Sequence, residues 1–356
     1  MMKYVIQLLS LLYLYLFRIS WIEIFRHYDR RSRNVLWINP RAPGKLIQYL
    51  GGFAVVYDLA NADALTRRGI KFRIVTGKYI GRVHNSRILY QPSHKFMNPY
   101  SLLDCPTFLL GTARALERQN NVLLPGSDEL AYWENKGFMH ERFAQLGIDQ
   151  PETHVLRTED LPAFAGLSPP FLVEELHSAG GVGVHKIESG DAQARLARRL
   201  LERGQYEIVA QAIVAVTRDL RVTVVGDEIV LAYWRINPPG QWRPTSTAGG
   251  SRVLFGDFPV QWRDYFLETT RRLGLTAAAY DVAWEGDDVG TRPLILEVSP
   301  FFQPNPPLPA ELGQLPYRDY KKKLVGRQPY FRTRVDACFR IAEMKVAAFQ
   351  KRRGFV

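Results

Sequence analysis

The sequence predicts an α/β (α+β) protein: a small parallel-sheet domain followed by a larger mixed α and β domain. Three observations carry this. From Val35 onward, short apolar strands alternate with amphipathic helical stretches. A period-two pattern over 219–236, broken at Gly226-Asp227, reads as a β-hairpin. Two more apolar strands, "AAYDVAW" and "PLILEVSP", flank an acidic loop within 278–300. The 356 residues suffice for two or three compact units, and 46% hydrophobic with 23% charged residues excludes a disordered chain.

The expected elements run in order. "YVIQLLSLLYLYLF" (4–17), extended by "ISWIEIF", predicts an apolar N-terminal helix over 4–25. Its unbroken apolar run is shorter than the roughly 20 residues a spanning helix needs, and Arg18 and Glu23 interrupt the extension. No small-residue cleavage site follows it, which argues against a removable signal peptide. Tyr13, Tyr15 and Trp21, with "RHYDRRSR" beyond, suit a lipid–water boundary. Packing of this helix on its own protein or a twin subunit is the alternative. "VLWIN", "KFRIVTG" and "NVLLPGS" read as strands, with helices over 53–69 and within 99–119. Ser127 and Asp128 offer caps for a helix over 129–147, and "QPETHVL" (150–156) and "LPAFAGLSPP" (161–170) read as linker. Then come a strand from Phe171, a glycine turn, a helix over 191–204 ended by Gly204, a strand over 206–214, the hairpin, a helix over 261–275 and the final strand pair. The expected domains are 1–34, 35–130, 131–310 and a basic extension, 311–356.

Charge is uneven. The net charge is +12, yet 1–45 holds eight Lys/Arg against two acids and 318–353 holds twelve against three. The middle is close to neutral. No helix-turn-helix, zinc-finger or RNP-like pattern accompanies the basic ends, so an anionic membrane surface is the expected partner rather than nucleic acid. Two distant cysteines, Cys105 and Cys338, exclude a disulfide framework and Cys/His metal spacing.

The chemistry concentrates in the second half. Asp281 and Glu297 end neighbouring apolar strands, where carboxylates are unfavourable without a partner. Such a pair reads as a Mg²⁺ site, with structural pairing to arginine as the alternative. Arg221, Arg235 and Arg243 lie on one hairpin and its loop, and guanidinium forks suit phosphate and carboxylate oxygens. Glycines after "PFLVEEL" can present backbone N–H groups to a phosphate.

The order of these segments resembles the ATP-grasp superfamily, most of all its branch of ribosomal-protein-S6 glutamate ligases and glutathione synthetases. The resemblance runs through "NKGFMHERFAQLGIDQPETHVL", "PFLVEELHSAGGVGVHKI", "YEIVAQAI", "DLRVTVVGDEIVLAYWR", "WRPTSTAGG" and "YDVAWEGDDVGTRPLILEVSP". It covers 131–304, and 35–130 is loosely similar to the domain that precedes the grasp in that family. It implies ATP and Mg²⁺ as cofactors and a carboxylate and an amine as substrates, joined through an acyl phosphate. It implies that Lys136 meets the nucleotide phosphates under a loop of Gly180, Gly181 and Gly183. Gln211, Ala212 and Ile213 are implied for the adenine hinge. Arg235 and Arg243 would grip phosphoryl oxygens, Arg221 an acceptor carboxylate, and Asp281, Glu297 and Ser299 the metal.

Several positions depart from the family pattern. Glu174 stands where the family has a phosphate-binding lysine, Ser299 where it has an asparagine ligand, Thr245 for an asparagine and Gln211 for an acid. Three readings of Glu174 stay open. It turns away while His177, His185 or Lys186 supplies the positive charge; it holds a further metal ion; or the site has lost ordinary turnover. Asn305 is near enough in sequence to stand in for Ser299. The proline-rich stretch after Glu297 reads as an exit linker, with a substrate wall built on Phe301 and Phe302 as the alternative. The expectation is thus a ligase at the cytoplasmic face of a membrane, acting on an amphiphilic or lipid-linked substrate, with a homo-oligomer allowed. A degenerate nucleotide-binding scaffold is the second reading, and a binder of nucleic acid or acidic glycan the third.

Overall fold

The computed structural model describes residues 11–38, 53–91, 104–178, 181, 183–238, 243–247, 250–307 and 328–353. Strands β1 (Asn34–Ile38), β2 (Arg73–Thr76), β3 (Arg87–Tyr90) and β4 (Val122–Leu124) form a parallel sheet in the order β2-β1-β3-β4. Parallel strands need long crossovers. These contain helix α2 (Ala54–Arg67) after β1 and helix α3 (Asp104–Glu117) after β3, while a shorter helix α1 (Trp21–His27) precedes β1. Val35, Trp37, Ile88 and Leu123 bury one face with Leu109, Ala113 and Leu116 of α3. Strand β3 escaped the sequence reading because "RILY" is too short to show a period.

The N-terminal expectation changes. Over 11–27 the backbone is not one helix: a π-helical turn, Leu14–Arg18, breaks at Ile19-Ser20 before α1. The C-terminal helix explains the break. The Arg18 guanidinium lies 4.2 Å over the Phe339 ring and 3.2 Å from Asp336. Leu11, Leu14, Ile19 and Ile24 share a core with α2 and with Val335, Phe339, Val346 and Phe349. Apolar residues on the other side stay exposed, among them Leu16, Phe17, Ile22 and Phe25. Residues 4–10 of the predicted helix lie outside the described residues.

The predicted helix 129–147 also changes. A single turn, Ser127–Leu130, is followed by a left-handed residue, Glu134 (φ 49°), and helix α4 starts afresh at Lys136 and runs to Leu146. The cap is Asn135, whose side chain accepts from Phe138 N at 3.3 Å, rather than Ser127 or Asp128. The segment read as linker forms a strand, β5 (Thr153–Arg157). It edges an antiparallel sheet ordered β5-β8-β6-β7, with β6 (Phe171–Glu175), β7 (Val184–Ile187) and β8 (Glu207–Ala212). Helix α5 (Gly190–Glu202) covers it, capped by Ser189.

The third sheet is antiparallel, ordered β11-β10-β9-β12-β13: β9 (Arg218–Val225), β10 (Glu228–Ile236), β11 (Arg252–Phe255), β12 (Ala277–Ala283) and β13 (Leu294–Ser299). Helices α4 and α6 (Arg263–Arg272) bury Met139, Phe143, Phe266 and Leu267 against its Val222, Val224, Tyr280 and Val282. The last helix, α7 (Gln328–Arg353), packs chiefly on α2 and reaches the opposite face of this sheet through Ile341.

Candidate active site

Alternation along a strand places residues two apart on one face. Asp219 and Arg221 therefore share a face of β9. Register sets Arg221 opposite Asp281 and Asp219 opposite Arg235, and sets Asp281 opposite Glu297. Five charged side chains from four strands thus meet on one sheet face.

Their contacts form a network. Arg221 donates to Asp281 at 2.8 Å, and Arg235 reaches Asp281 at 2.9 Å. Arg235 also forks onto Asp219, with one arm at 2.9 Å and a shorter second arm, and the Thr245 hydroxyl donates to the same carboxylate at 2.6 Å. Burial raises carboxyl pKa values, but Arg221 and Arg235 more than offset it at Asp281, whose pKa is lowered. At Asp219 burial wins over Arg235 and the pKa is raised.

Glu297 differs. Among the described residues it makes no ion pair or hydrogen bond, and its pKa is raised by burial and by Asp281, with Lys136 opposing. Glu134 lies near it, pushed to about 8 by burial and by the Glu297 charge. Its Oε2 is buried without a hydrogen-bond partner among the described residues.

The first turn of α4 faces this cluster with Lys136. Its ammonium ion-pairs with Glu174 of β6 at short range, both side chains being largely buried. Burial alone would lower the Lys136 pKa, but Glu174, Glu297 and Glu134 raise it. This revises the reading of Glu174. Its carboxylate is turned to Lys136, and each of the three suggested cations meets another partner. His177 Nδ1 meets the backbone oxygen of Glu134, His185 lies 3.2 Å from Glu175, and Lys186 pairs with Glu188 at 2.8 Å.

Other predicted residues fall in two groups. Gly181 and Gly183 occupy the β6–β7 loop with φ of 80° and 83°. A Cβ on Gly181 would sit 3.3 Å from Pro244, so this loop abuts the segment that carries Arg243 and Thr245. Gly180 lies outside the described residues. Arg243 is exposed, and its backbone oxygen accepts from Asn237. Gln211 is buried on β8 and donates to Thr153 Oγ1 at 3.0 Å; Ala212 ends that strand and Ile213 follows it, both half-buried. Ser299 turns its hydroxyl to the Phe301 oxygen at 2.8 Å. Asn305 docks on Tyr233, whose register partner is Arg221, so it does come to the charged face. Sequence reading missed Asp219 and Glu134. For Asp219 the signal was the same as for Asp281, an acid inside an apolar strand.

An antiparallel sheet bearing acids and arginines, facing a second antiparallel sheet with a glycine loop, behind a parallel-sheet domain, is a known arrangement. A D-cycloserine synthetase superposes with a TM-score of 0.52 over 83% of this chain and 99% of its own, at 13% identity. A D-alanine–D-alanine ligase from Bacillus anthracis complexed with ATP gives 0.51 over 88% and 97%, at 12% identity. The chain has the ATP-grasp fold. In sequence, a probable alpha-L-glutamate ligase from Xanthomonas campestris pv. campestris (strain 8004) is 32% identical over 198 residues, 53% of this chain. A probable alpha-L-glutamate ligase from Xylella fastidiosa (strain M12) is 31% identical over 186 residues. The chain spans about 65% and 58% of the lengths of these two relatives. No protein-family profile matches it.

Proposed function

We propose that the protein is an ATP- and Mg²⁺-dependent ligase that joins a carboxylate to an amine through an acyl phosphate. The observation that carries this is the convergence of Asp281, Glu297, Arg221 and Arg235 on one sheet face opposite Lys136. The donor set suits a hard cation: Glu297 is a partly buried carboxylate without a protein cation of its own, and Mg²⁺ typically takes one or two carboxylates with phosphate oxygens and water. Asp281 and Glu297 would hold the metal, which when bound neutralises phosphate charge. Among the described residues no group of three His, Cys, Asp or Glu could hold a metal ion.

The chain's own groups then position and compensate charge. Lys136 and the Gly181–Gly183 loop would contact phosphates, with Gln211, Ala212 and Ile213 along the base. Arg235, already fixed by Asp219, is aimed without a rotamer search. Arg221 would bind the acceptor carboxylate or the developing phosphoryl charge. Arg243, two residues before the Thr245 that donates to Asp219, would add a further contact to the phosphates.

One observation favours a second reading. Glu174 already occupies Lys136, as in a nucleotide-binding scaffold that no longer turns over. Calorimetry with MgATP, then phosphate release over a panel of acids and amines, separates the two. Binding with amine-dependent phosphate release supports the ligase, and binding without release across the panel supports the scaffold. Absence of nucleotide binding refutes both.

We also propose peripheral attachment to anionic membranes, which would suit an amphiphilic or lipid-linked substrate. Leu16, Phe17, Ile22 and Phe25 are 66–78% exposed beside Arg26 and Arg30. Among the described residues no helix is long and apolar enough to cross a membrane. Flotation with phosphatidylserine vesicles tests this: loss of binding on replacing Phe17, Ile22 and Phe25 by serine is the expected result, and unchanged flotation refutes it.

A further inference from the structure

Two adjoining recesses, about 310 and 300 Å³ measured to their open mouths, meet at Asn61, Gln91 and Lys345. Their enclosed part holds little more than a water or a carboxylate group. They lie at the carboxyl ends of β3 and β4, where ligands of parallel sheets commonly bind. Lys345 comes from α7. Its ammonium stands 4.9 Å from the Phe302 ring centre and forms no ion pair among the described residues. Burial lowers its pKa to about 8, with Glu129 opposing. Glu129 is already engaged, accepting from the backbone N and hydroxyl of Thr276. The Tyr57 hydroxyl is buried at the same recess, next to Arg334 and Cys338. A desolvated cation, two side-chain amides and a buried hydroxyl surround a small space. The carboxylate beside Lys345, Glu129, is committed to Thr276 and forms no ion pair with that lysine among the described residues, which leaves room for a second anion.

We propose that this recess is a carboxylate-binding subsite, with Lys345 as the charged donor and Asn61, Gln91 and Tyr57 as neutral donors. Its position relative to the charged sheet gives it a use. Ala277 lines the recess and lies on β12 four residues before Asp281, on the same face. At the strand rise, that is about 14 Å. An acceptor held by a carboxylate at Lys345 would need an elongated body to bring its reacting end to Asp281 and Glu297. That assignment to the acceptor rests on the ligase reading; the anion site itself does not.

The test titrates the full chain, without nucleotide, with acetate, glutarate and inorganic phosphate, read by calorimetry and saturation-transfer NMR. Saturable binding of a carboxylate is expected, weakened about tenfold in Lys345→Met, since a charged hydrogen bond is lost. Gln91→Leu, which leaves the α7 packing intact, should weaken it by a smaller factor. No saturable binding, equal affinity in Lys345→Met, or a preference for phosphate overturns the proposal. MgATP affinity is measured on the same proteins and should be unchanged by Lys345→Met. Carboxylate binding without nucleotide binding would leave the subsite standing and remove the ligase reading, and the reverse would remove the subsite alone.

Discussion

Replacing Glu174 by glutamine should weaken the protein and strengthen its hold on nucleotide. Glu174 and Lys136 are 16% and 8% exposed at their side chains, so solvent screens their attraction little. Two unit charges in contact interact by about 5 kcal/mol at an effective dielectric near 20. Part of this is offset, because the amide is less costly to bury than the carboxylate. Removing one partner of a buried pair typically costs about 3–5 kcal/mol, and we take about 3. With an unfolding entropy of about 2.1 cal/mol/K per residue, this is a fall of about 4 °C in Tm for a chain of this size. The opposite effect appears with MgATP. A carboxylate about 6 Å from a phosphate oxygen repels it by about 3 kcal/mol at the same dielectric, and glutamine removes that while freeing Lys136. Nucleotide affinity should therefore rise tenfold or more, read by calorimetry beside thermal unfolding of both proteins. A Glu174→Gln protein as stable as the parent would refute the ion pair. One that is destabilised but binds nucleotide more weakly would make Glu174 a ligand for metal or nucleotide rather than its competitor.

Arg235→Met should cost about 3–5 kcal/mol in urea unfolding, because it strands the buried Asp219 carboxylate and takes one of two guanidinium partners from Asp281; an unchanged midpoint would mean that Asp219 is neutral in the native state. Glu134 has a native pKa near 8 against an ordinary 4.5, so between these values the folded protein keeps a proton that the unfolded chain has lost. Its contribution is fully present below about pH 4.5 and disappears as pH rises through 8, with a slope of at most about 1.4 kcal/mol per pH unit. Glu134→Gln should flatten the stability–pH curve in that window, and parallel curves would contradict the assignment. Gly183→Ala puts a Cβ 2.8 Å from the Ser178 Cβ at a φ of 83°, so the loop must shift at a cost of about 1–2 kcal/mol; a loss of MgATP affinity is expected, and undiminished affinity would detach this loop from the phosphates.

Much of the fold was legible because its elements obey one period each. The hairpin 219–236 and the pair around the acidic loop appear with bounds close to those read, since their apolar residues alternate cleanly. The failures have local causes. Helix 129–147 looked continuous because its apolar spacing is helical on both sides of Glu134, and a single left-handed residue leaves no trace in that spacing. Strand β5 was read as linker because "THVLR" is flanked by prolines and half-buried along its length. The Asp281–Glu297 pair was visible as two acids in apolar strands. The Lys136–Glu174 pair was not, because 38 residues separate the two and only the meeting of α4 with β6 joins them. The core contacts of the N-terminal apolar run were not legible, because part of its partner surface, Val335 to Phe349, comes more than 300 residues later.

That late contribution bears on how the chain is made. The first apolar segment and α2 bury themselves against side chains made about 300 residues later. The parallel-sheet domain therefore cannot complete its interior until α7 has been made. Until α7 arrives, Leu14, Ile24 and the α2 face remain uncovered, open to chaperones or to wrong neighbours. Emergence of α7, rather than of each domain in turn, sets the moment when this interior can close.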